Sequence, residues 1–295
     1  MNITYSACPV CNSPNIHFAL SAKDHTVSSQ IFEIWQCKNC TLKFTQNIPA
    51  EDEIGTFYQS ETYISHSDTK KGLINYLYHN IRKSTLVSKK KLIQKITGSD
   101  HGNILDIGAG TGAFLNTMQK AGWQVTGLEP DRIAKQKAME LYQITLQPSE
   151  IFYDLPLESY NAITMWHVLE HVHQLNEYMT QLKKLLKPQG MIFIAVPNYT
   201  CYDENVYKEY WAAYDVPRHL YHFSPAAMSR LIQQHGLNLR SIKAMWYDSF
   251  YVSMLSEKYK GSNNLIKAFL TGLVSDWKAL TRNEKASSLI YIISK

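Results

Sequence analysis

The sequence predicts an α/β chain, a mostly parallel sheet flanked by helices, with a small metal-bound ribbon at its N-terminal end. Three observations lead there. The apolar run Ile104-Leu105-Asp106-Ile107 ends in Gly108-Ala109-Gly110-Thr111-Gly112, and the helix-forming Ala113-Phe114-Leu115-Asn116-Thr117-Met118 follows at once. A second apolar stretch, Trp123-Gln124-Val125-Thr126-Gly127-Leu128, ends in Glu129. Two Cys-x-x-Cys pairs, Cys8/Cys11 and Cys37/Cys40, stand near the start of the chain.

The chain has 295 residues, 45% of them hydrophobic, enough for one large or two modest domains with a sizeable core. Its net charge of +5 comes from 30 basic and 25 acidic residues without a long block of one sign, which points away from nucleic acid as a partner. Met1-Asn2-Ile3-Thr4-Tyr5 lacks the basic and apolar regions of a signal peptide, and no apolar run approaches the roughly 20 residues that span a bilayer. The expected location is the cytoplasm, where thiols stay reduced.

That compartment decides how the cysteines are read. Each Cys-x-x-Cys forms a knuckle, and two knuckles supply the tetrahedral sulfur set that zinc prefers, so Cys8, Cys11, Cys37 and Cys40 are expected to hold a structural zinc. Residues 1–48 have few large apolar side chains, so metal binding would supply stability that a core cannot. Ile31 to Cys37 alternates as a strand into the second knuckle and Leu42 to Thr45 as a strand out of it, giving a zinc ribbon.

Residues 49–100 read as a connecting loop and helices. Tyr58, Tyr63 and His66 sit in a polar, aromatic stretch, either a surface loop or a lid over the nucleotide site. From Lys71 to Ile96, apolar residues at helical spacing alternate with lysines, an amphipathic helix or two whose apolar face is expected to pack on the following domain, with a contact to anionic lipid as the alternative.

Residues 101–295 form the cofactor-binding domain. Glycine lacks a Cβ, so a strand can turn sharply at Gly108 and let a ligand approach the backbone N–H groups. Two readings are open: Gly108-x-Gly110-x-x-Ala113 satisfies a dinucleotide fingerprint, and Gly108-x-Gly110-x-Gly112 after Asp106 resembles motif I of class I S-adenosylmethionine methyltransferases. Glu129 lies about twenty residues beyond the glycines, where a carboxylate accepts both ribose hydroxyls of an adenosine cofactor. Further along, Tyr160 to Met165 is a buried strand, Asn176 to Leu186 a helix and Met191 to Val196 a strand. Ser224-Pro225 opens another helix and Gly236 stops it. Leu239 to Trp246 and Ser288 to Ile293 are strands with a helical insertion at about 248–286 between them. In that insertion Leu265, Ile266, Phe269, Leu270 and Leu273 are expected to pack as core, with an oligomer or membrane-adjacent contact as the alternative reading.

Leu-Asp-Ile-Gly-Ala-Gly-Thr-Gly, Glu129-Pro130, Trp166-His167-Val168-Leu169-Glu170-His171 and Lys187-Pro188-Gln189-Gly190 occur in the order found in class I S-adenosylmethionine (SAM) methyltransferases. The set resembles their ubiquinone-biosynthesis-like group, methyltransferase domain type 23. Asp215 to Ser224 adds a signature similar to a subgroup with an N-terminal cysteine ribbon. The resemblance implies a Rossmann-like seven-stranded sheet, mostly parallel, with the last strand antiparallel. It implies that Gly108, Ala109, Gly110 and Gly112 pass the methionine part of SAM, that Asp106 orients its ammonium, and that Glu129-Pro130 holds the ribose. Trp166 and His167 would line the methyl group. The family's adenine-binding Asp is absent; Gln147, Ser149 and Glu150 are the substitutes available.

Methyl transfer to oxygen or carbon requires a base, and His167, His171 and His219 are the candidates. Each of the latter two has a structural alternative: His171 as a helix cap and His219 as a support for the loop of Arg218. Tyr58, Asp215, Arg218 and His219 are the candidate acceptor-binding residues, with an Arg218–Asp215 ion pair the competing reading. The expected activity is methyl transfer to a small-molecule or glycan acceptor, with oxygen the expected atom and no oxygen-ligand cluster visible for a catalytic metal. The alternatives are an RNA methyltransferase using the ribbon and an NAD-dependent oxidoreductase or epimerase.

Overall fold

The computed structural model describes residues 2–58 and 73–295, with side chains from 83 onward in the second stretch. Tyr63 and His66, expected in the lid, lie outside the described residues. Alternating apolar runs become β1 (Ile16–Lys23), β2 (Ile31–Cys37) and β3 (Lys43–Thr45), and the long helix α1 (Leu73–Thr97) follows. The α/β part begins with β4 (Gly102–Ile107), α2 (Ala113–Gln119), β5 (Trp123–Leu128) and α3 (Arg132–Tyr142). It continues through β6 (Tyr160–Trp166), α4 (Leu175–Leu185), β7 (Leu186–Pro197), α5 (Tyr202–Tyr207), β8 (Tyr221–His222) and α6 (Pro225–Gln234). It closes with β9 (Asn238–Met245), the helix pair α7 (Asp248–Tyr259) and α8 (Leu265–Thr281), and β10 (Ser288–Ser294).

The main sheet has six strands in the order β5-β4-β6-β7-β10-β9. β4 pairs in parallel with β5 and β6, and β6 with β7, whereas β10 runs antiparallel to both β7 and β9. The expected antiparallel last strand is therefore β10, inserted between β7 and β9. The seventh strand is reduced to a single parallel bridge at the edge, where Glu129 N donates to Gln147 O and Gln147 N to Gly127 O, both at 2.9 Å. Pro148 follows directly and has no N–H to extend the ladder.

β10 is buried along its whole length and β7 beside it is a continuous apolar run from Met191 to Pro197, as strands covered on both faces require, whereas the edge strand β9 alternates apolar and polar residues. The turn from β4 to α2 and the one from β6 to His171 emerge at the same carboxyl edge, because parallel strands deliver their loops to one end. Ser224 caps α6 by accepting from Ala227 N at 3.0 Å, as the Ser-Pro start predicts.

The N-terminal ribbon is joined to the rest by a shared sheet. β1, β2 and β3 form an antiparallel set whose open edge is filled by β8, from far along the chain. Lys43, buried, donates from Nζ to Tyr214 Oη at 2.8 Å and lies 3.5 Å from Glu204 Oε1. Val10, Leu42, Phe44 and Ile48 belong to one core cluster with Leu220, Tyr221 and Phe223.

One expectation fails here. Leu265, Ile266, Phe269, Leu270 and Leu273 of α8 are not core, with 49–75% of their surfaces exposed. The helix instead turns Ala268, Thr271, Gly272, Ser275 and Ala279 inward. A Cβ at Gly272 would come within 2.7 Å of the Phe250 ring, so Gly272 leaves the space that the α7 phenylalanine fills.

Candidate functional site

The glycine loop leaves β4 with Gly108, Gly110 and Gly112 at φ +69°, +54° and +76°. At Gly108 a side chain is excluded twice, by that backbone and because a Cβ would lie 2.5 Å from a Val168 methyl. At Gly110 the direction of a Cβ is open for 4 Å, leaving room above the loop. Ala109 N donates to Leu128 O, tying the loop to the end of β5. There Glu129 reaches across: Oε2 accepts from Gly110 N at 2.7 Å and Oε1 from Asp131 N at 2.9 Å. Burial raises its carboxyl pKa while these two N–H groups oppose the shift. Each oxygen keeps lone-pair capacity for a diol. Pro130 then leads into Asp131, which caps α3 through Ala134 N at 2.6 Å.

Asp106, beneath the loop, is 2% exposed and accepts from Thr164 Oγ at 2.6 Å. Burial pushes its carboxyl up to about 7, Thr164 and Lys89 pull it down and Glu129 adds to the rise. Lys89 was read only as one of the lysines along α1. Its Nζ sits 4.1 Å from the centre of the Trp166 ring, and burial lowers its pKa to about 8 against the pull of Asp106 and Asp248. The signal was present: Lys89 follows Leu86 by three residues and precedes Ile93 by four, which puts it on the apolar face. Trp166 packs edge-on against Phe114 at 5.6 Å between ring centres.

His167 takes φ +59° and turns its ring between two carboxylates, Nε2 at 3.1 Å from Asp248 Oδ2 and Nδ1 at 3.4 Å from Glu170 Oε1. Burial alone would lower its pKa, but Asp248 and Glu170 raise it to about 10. The expectation of His167 as a base is corrected accordingly: across the neutral range it is protonated and donates. Asp248, its partner, comes from the insertion and had no sequence signal.

Glu170, His171 and His219 offer ligand atoms that all lie within 4.8 Å of one another. His171 Nδ1 is 3.0 Å from both Arg218 O and Tyr58 Oη, and His219 Nδ1 is 2.8 Å from Ala213 O. A carbonyl can only accept, so each Nδ1 carries a proton; His219 Nε2 lies 4.0 Å from Asp215 Oδ2. Burial, helped by His219, lowers His171 to about 4, keeping it neutral. Glu170 is fully buried and neither oxygen has a hydrogen bond. Burial would raise it, but His167, His171 and His219 hold it below the usual range. The group can take a proton from an acceptor or hold a divalent cation through two nitrogens and a carboxylate. The absence of an oxygen-only cluster, noted in the sequence, overlooked this mixed set because His219 is distant in the chain.

Arg218 and Asp215 do not line an open acceptor site. Arg218 is 1% exposed and all its reach is used: Nε and Nη2 donate to Asp215 at 3.0 and 2.6 Å, Nη2 also to Asp24 Oδ1 at 3.0 Å, and Nη1 to Phe57 O at 2.9 Å. Of the two readings, the Arg218–Asp215 ion pair is the one formed, and the second pair, Arg218 with Asp24, fastens the ribbon to the catalytic part. Tyr58 and His219, by contrast, do converge on His171.

In the ribbon, the sulfurs of Cys8, Cys11, Cys37 and Cys40 lie within 4.8 Å of one another, with Cys8–Cys40 at 3.4 Å and Cys11–Cys37 at 3.5 Å. This donor set fits zinc. Cys201 is buried and caps α5 through Glu204 N.

Residues 78–242 match the family model described as "Methyltransferase domain", more than half of the chain. The chain belongs to this methyltransferase family. The class I SAM-dependent group resembled by the ordered motifs is therefore the one to which it is assigned. Among curated relatives, the ubiquinone biosynthesis O-methyltransferase of Haemophilus ducreyi is 34% identical over 108 residues, 33% of this chain and 46% of that protein. The enzyme of the same name from Xanthomonas axonopodis pv. citri is 27% identical over 159 residues, 49% of this chain and 66% of that protein. The chain thus spans about half to two thirds of the length of these relatives. A crystal structure of a SAM dependent methyltransferase from Archaeoglobus fulgidus shares the fold with a TM-score of 0.50 at 17% identity, covering 75% of this chain and 99% of that one. The matched region of this methyltransferase contains Lys89, the glycine loop, Glu129 and the Trp166–His171 turn, and it excludes the cysteine ribbon and α7–α8.

Proposed function

We propose that this methyltransferase moves a methyl group from SAM to a hydroxyl of a small-molecule or glycan acceptor. The observation that carries the reading is the shared carboxyl edge of β4, β5 and β6. There a glycine loop closed by Glu129 stands at the same edge as the turn that carries His171, a neutral histidine whose Nδ1 is fixed by Arg218 O, with His219 against its ring; Val168, three residues before His171, touches Gly108. Bound SAM supplies an electrophilic methyl on a good leaving group. The remaining work falls to the chain's own residues, namely orientation, exclusion of water and removal of a proton.

In this reading Glu129 accepts the ribose hydroxyls, Asp106 holds the methionine ammonium, and Lys89 faces its carboxylate. Trp166 walls the methyl side. His171 or His219 takes the acceptor's proton at Nε2, and the fixed Nδ1 hydrogen bonds hold each ring in the tautomer that can do so. Oxygen is favoured as the acceptor atom because both relatives described above are named as O-methyltransferases. The ribbon holds a structural zinc through its cysteines.

Calorimetry with S-adenosylhomocysteine tests the cofactor half. Binding by the wild type and a loss of about 10–100-fold in Glu129→Ala, from two charge-assisted hydrogen bonds, is the expected result. Binding of NADH without binding of S-adenosylhomocysteine would replace this reading with the oxidoreductase one. A second reading of the histidine pair, a divalent cation held with Glu170, rests on the buried Glu170 carboxylate, whose one ion pair is the 3.4 Å contact of Oε1 with His167 and whose ligand atom lies within 4.8 Å of those of His171 and His219. Metal analysis separates the two: zinc in the ribbon alone, or a second ion that His219→Ala removes.

A further inference from the structure

α7 and α8 reverse the pattern of helices in water. Small and polar residues are buried along both helices, Ser249, Ser253 and Ser256 on α7 and Ala268, Gly272 and Ser275 on α8. Ser249 Oγ donates to Gly272 O and the Phe250 ring lies against Gly272, while Ser256 accepts from Ala212 N and Ser275 donates to Asp203. The outer face of α8 carries Ile266, Phe269, Leu270, Leu273, Trp277 and Leu280, each about half exposed or more. Their spacing follows one side of a helix. Helices that meet through small residues and turn large apolar ones outward are suited to an apolar surrounding.

The exposed charges beside this face are positive apart from Glu284. Lys258 and Lys260 at the α7–α8 turn, and Lys278, Arg282 and Lys285 at the far end, are exposed. The acids of the segment other than Glu284 are turned inward: Asp248 to His167, Glu257 to Lys267, and Asp276 to Ser249. An apolar, tryptophan-bearing face about 25 Å long, flanked by cations, has the chemistry of a helix lying in the headgroup region of a lipid bilayer. No described helix is long and apolar enough to cross a membrane.

We propose that α7–α8 docks this protein on an anionic phospholipid surface, with α8 in the membrane plane and its outer face in the headgroup–acyl boundary. Charge complementarity chooses the bilayer over a second copy of the chain. A two-fold pairing through α8 would bring two sets of these cations onto one interface, whereas an anionic leaflet neutralises them. Asp248, the first residue of α7, is bonded to His167, so docking sets the methyl-transfer site at the edge of the bilayer. The docking itself does not depend on the proposed chemistry.

Flotation of the full chain with vesicles tests it. The chain is expected to float with phosphatidylcholine vesicles that contain phosphatidylglycerol, and more weakly with phosphatidylcholine alone or in high salt. The triple variant Ile266→Asn/Phe269→Asn/Trp277→Asn is expected to lose about tenfold or more of the partitioning. Lys258→Glu/Lys260→Glu is expected to lose about fivefold or more per residue on anionic vesicles only. These side chains already face water, so circular dichroism, melting temperature and S-adenosylhomocysteine binding should match the wild type. A wild type that stays in the aqueous fraction with anionic vesicles overturns the proposal, as does a triple variant that floats equally well. A vesicle-indifferent dimer that the triple variant makes monomeric in the ultracentrifuge assigns the face to a second copy and equally overturns it.

Discussion

Replacing Arg218 with methionine removes the cation from a buried cluster while roughly keeping its volume. Asp215 loses both of its donors from Arg218, and Asp24 loses one. Asp24 keeps the N–H groups of Thr26, Val27 and Ser28, so the damage concentrates at Asp215. Breaking a buried pair from one side costs about 3–5 kcal/mol, and the support left to Asp24 places Arg218→Met near 3 kcal/mol. With a urea slope near 3 kcal/mol/M for a chain of this size, the unfolding midpoint should fall by about 1 M. Burial would raise both carboxyls, yet Arg218, with the turn amides at Asp24, holds them below the usual carboxylate range. Depressed folded-state values stabilise above the unfolded pKa near 4 and lose that contribution as pH falls through the folded values. The wild type should therefore lose more stability than Arg218→Met when urea melts are repeated at falling pH. A midpoint shift under about 0.3 M, less than 1 kcal/mol, would refute the structural role. Unchanged stability together with a raised KM for the acceptor would restore Arg218 to acceptor binding.

Three further outcomes are expected. Gly108→Ala forces a Cβ against Val168 at positive φ and should lower stability by about 1–3 kcal/mol in thermal melts, weakening S-adenosylhomocysteine binding more than tenfold. Asp106, raised to about 7, holds an ammonium only when ionised, so affinity for S-adenosylhomocysteine should fall about tenfold from pH 8 to pH 6. Asp106→Asn should bind weakly without that slope, and an unchanged slope would clear Asp106 of the role. Stripping the ribbon metal with a chelator, or Cys37→Ser, should release zinc by mass spectrometry and lower the melting temperature, since the cysteine site lies in the same core cluster as β8. A metal-free protein with an unchanged melt would refute it.

Much of the cofactor half was legible because its residues are neighbours in sequence. A glycine loop, the acid ending the next strand and the Trp166–His171 turn are each short segments whose chemistry follows from backbone geometry. The rest depended on contacts that no spacing encodes. Asp248 reaches His167 across 81 positions, and that contact turns an expected base into a cation. Asp24 reaches Arg218 across 194, and with Asp215 that contact turns an expected acceptor ligand into a fastening. The outer face of α8 was misread for a related reason. Apolar residues at helical spacing say that one face leaves water, and only the neighbour across the other face says which one the protein covers.

The sequence alone determined the α/β class, the strand–glycine–helix turn, the placement of Glu129 and the cysteine donor set, because these rest on local backbone freedom and fixed ligand chemistry. Only the tertiary structure decided which ionisable groups meet. It neutralised His171, protonated His167, enclosed Arg218 and left the large side chains of α8 outside. Burial and proximity set the energy of a charge or an apolar surface, and both are properties of the folded chain.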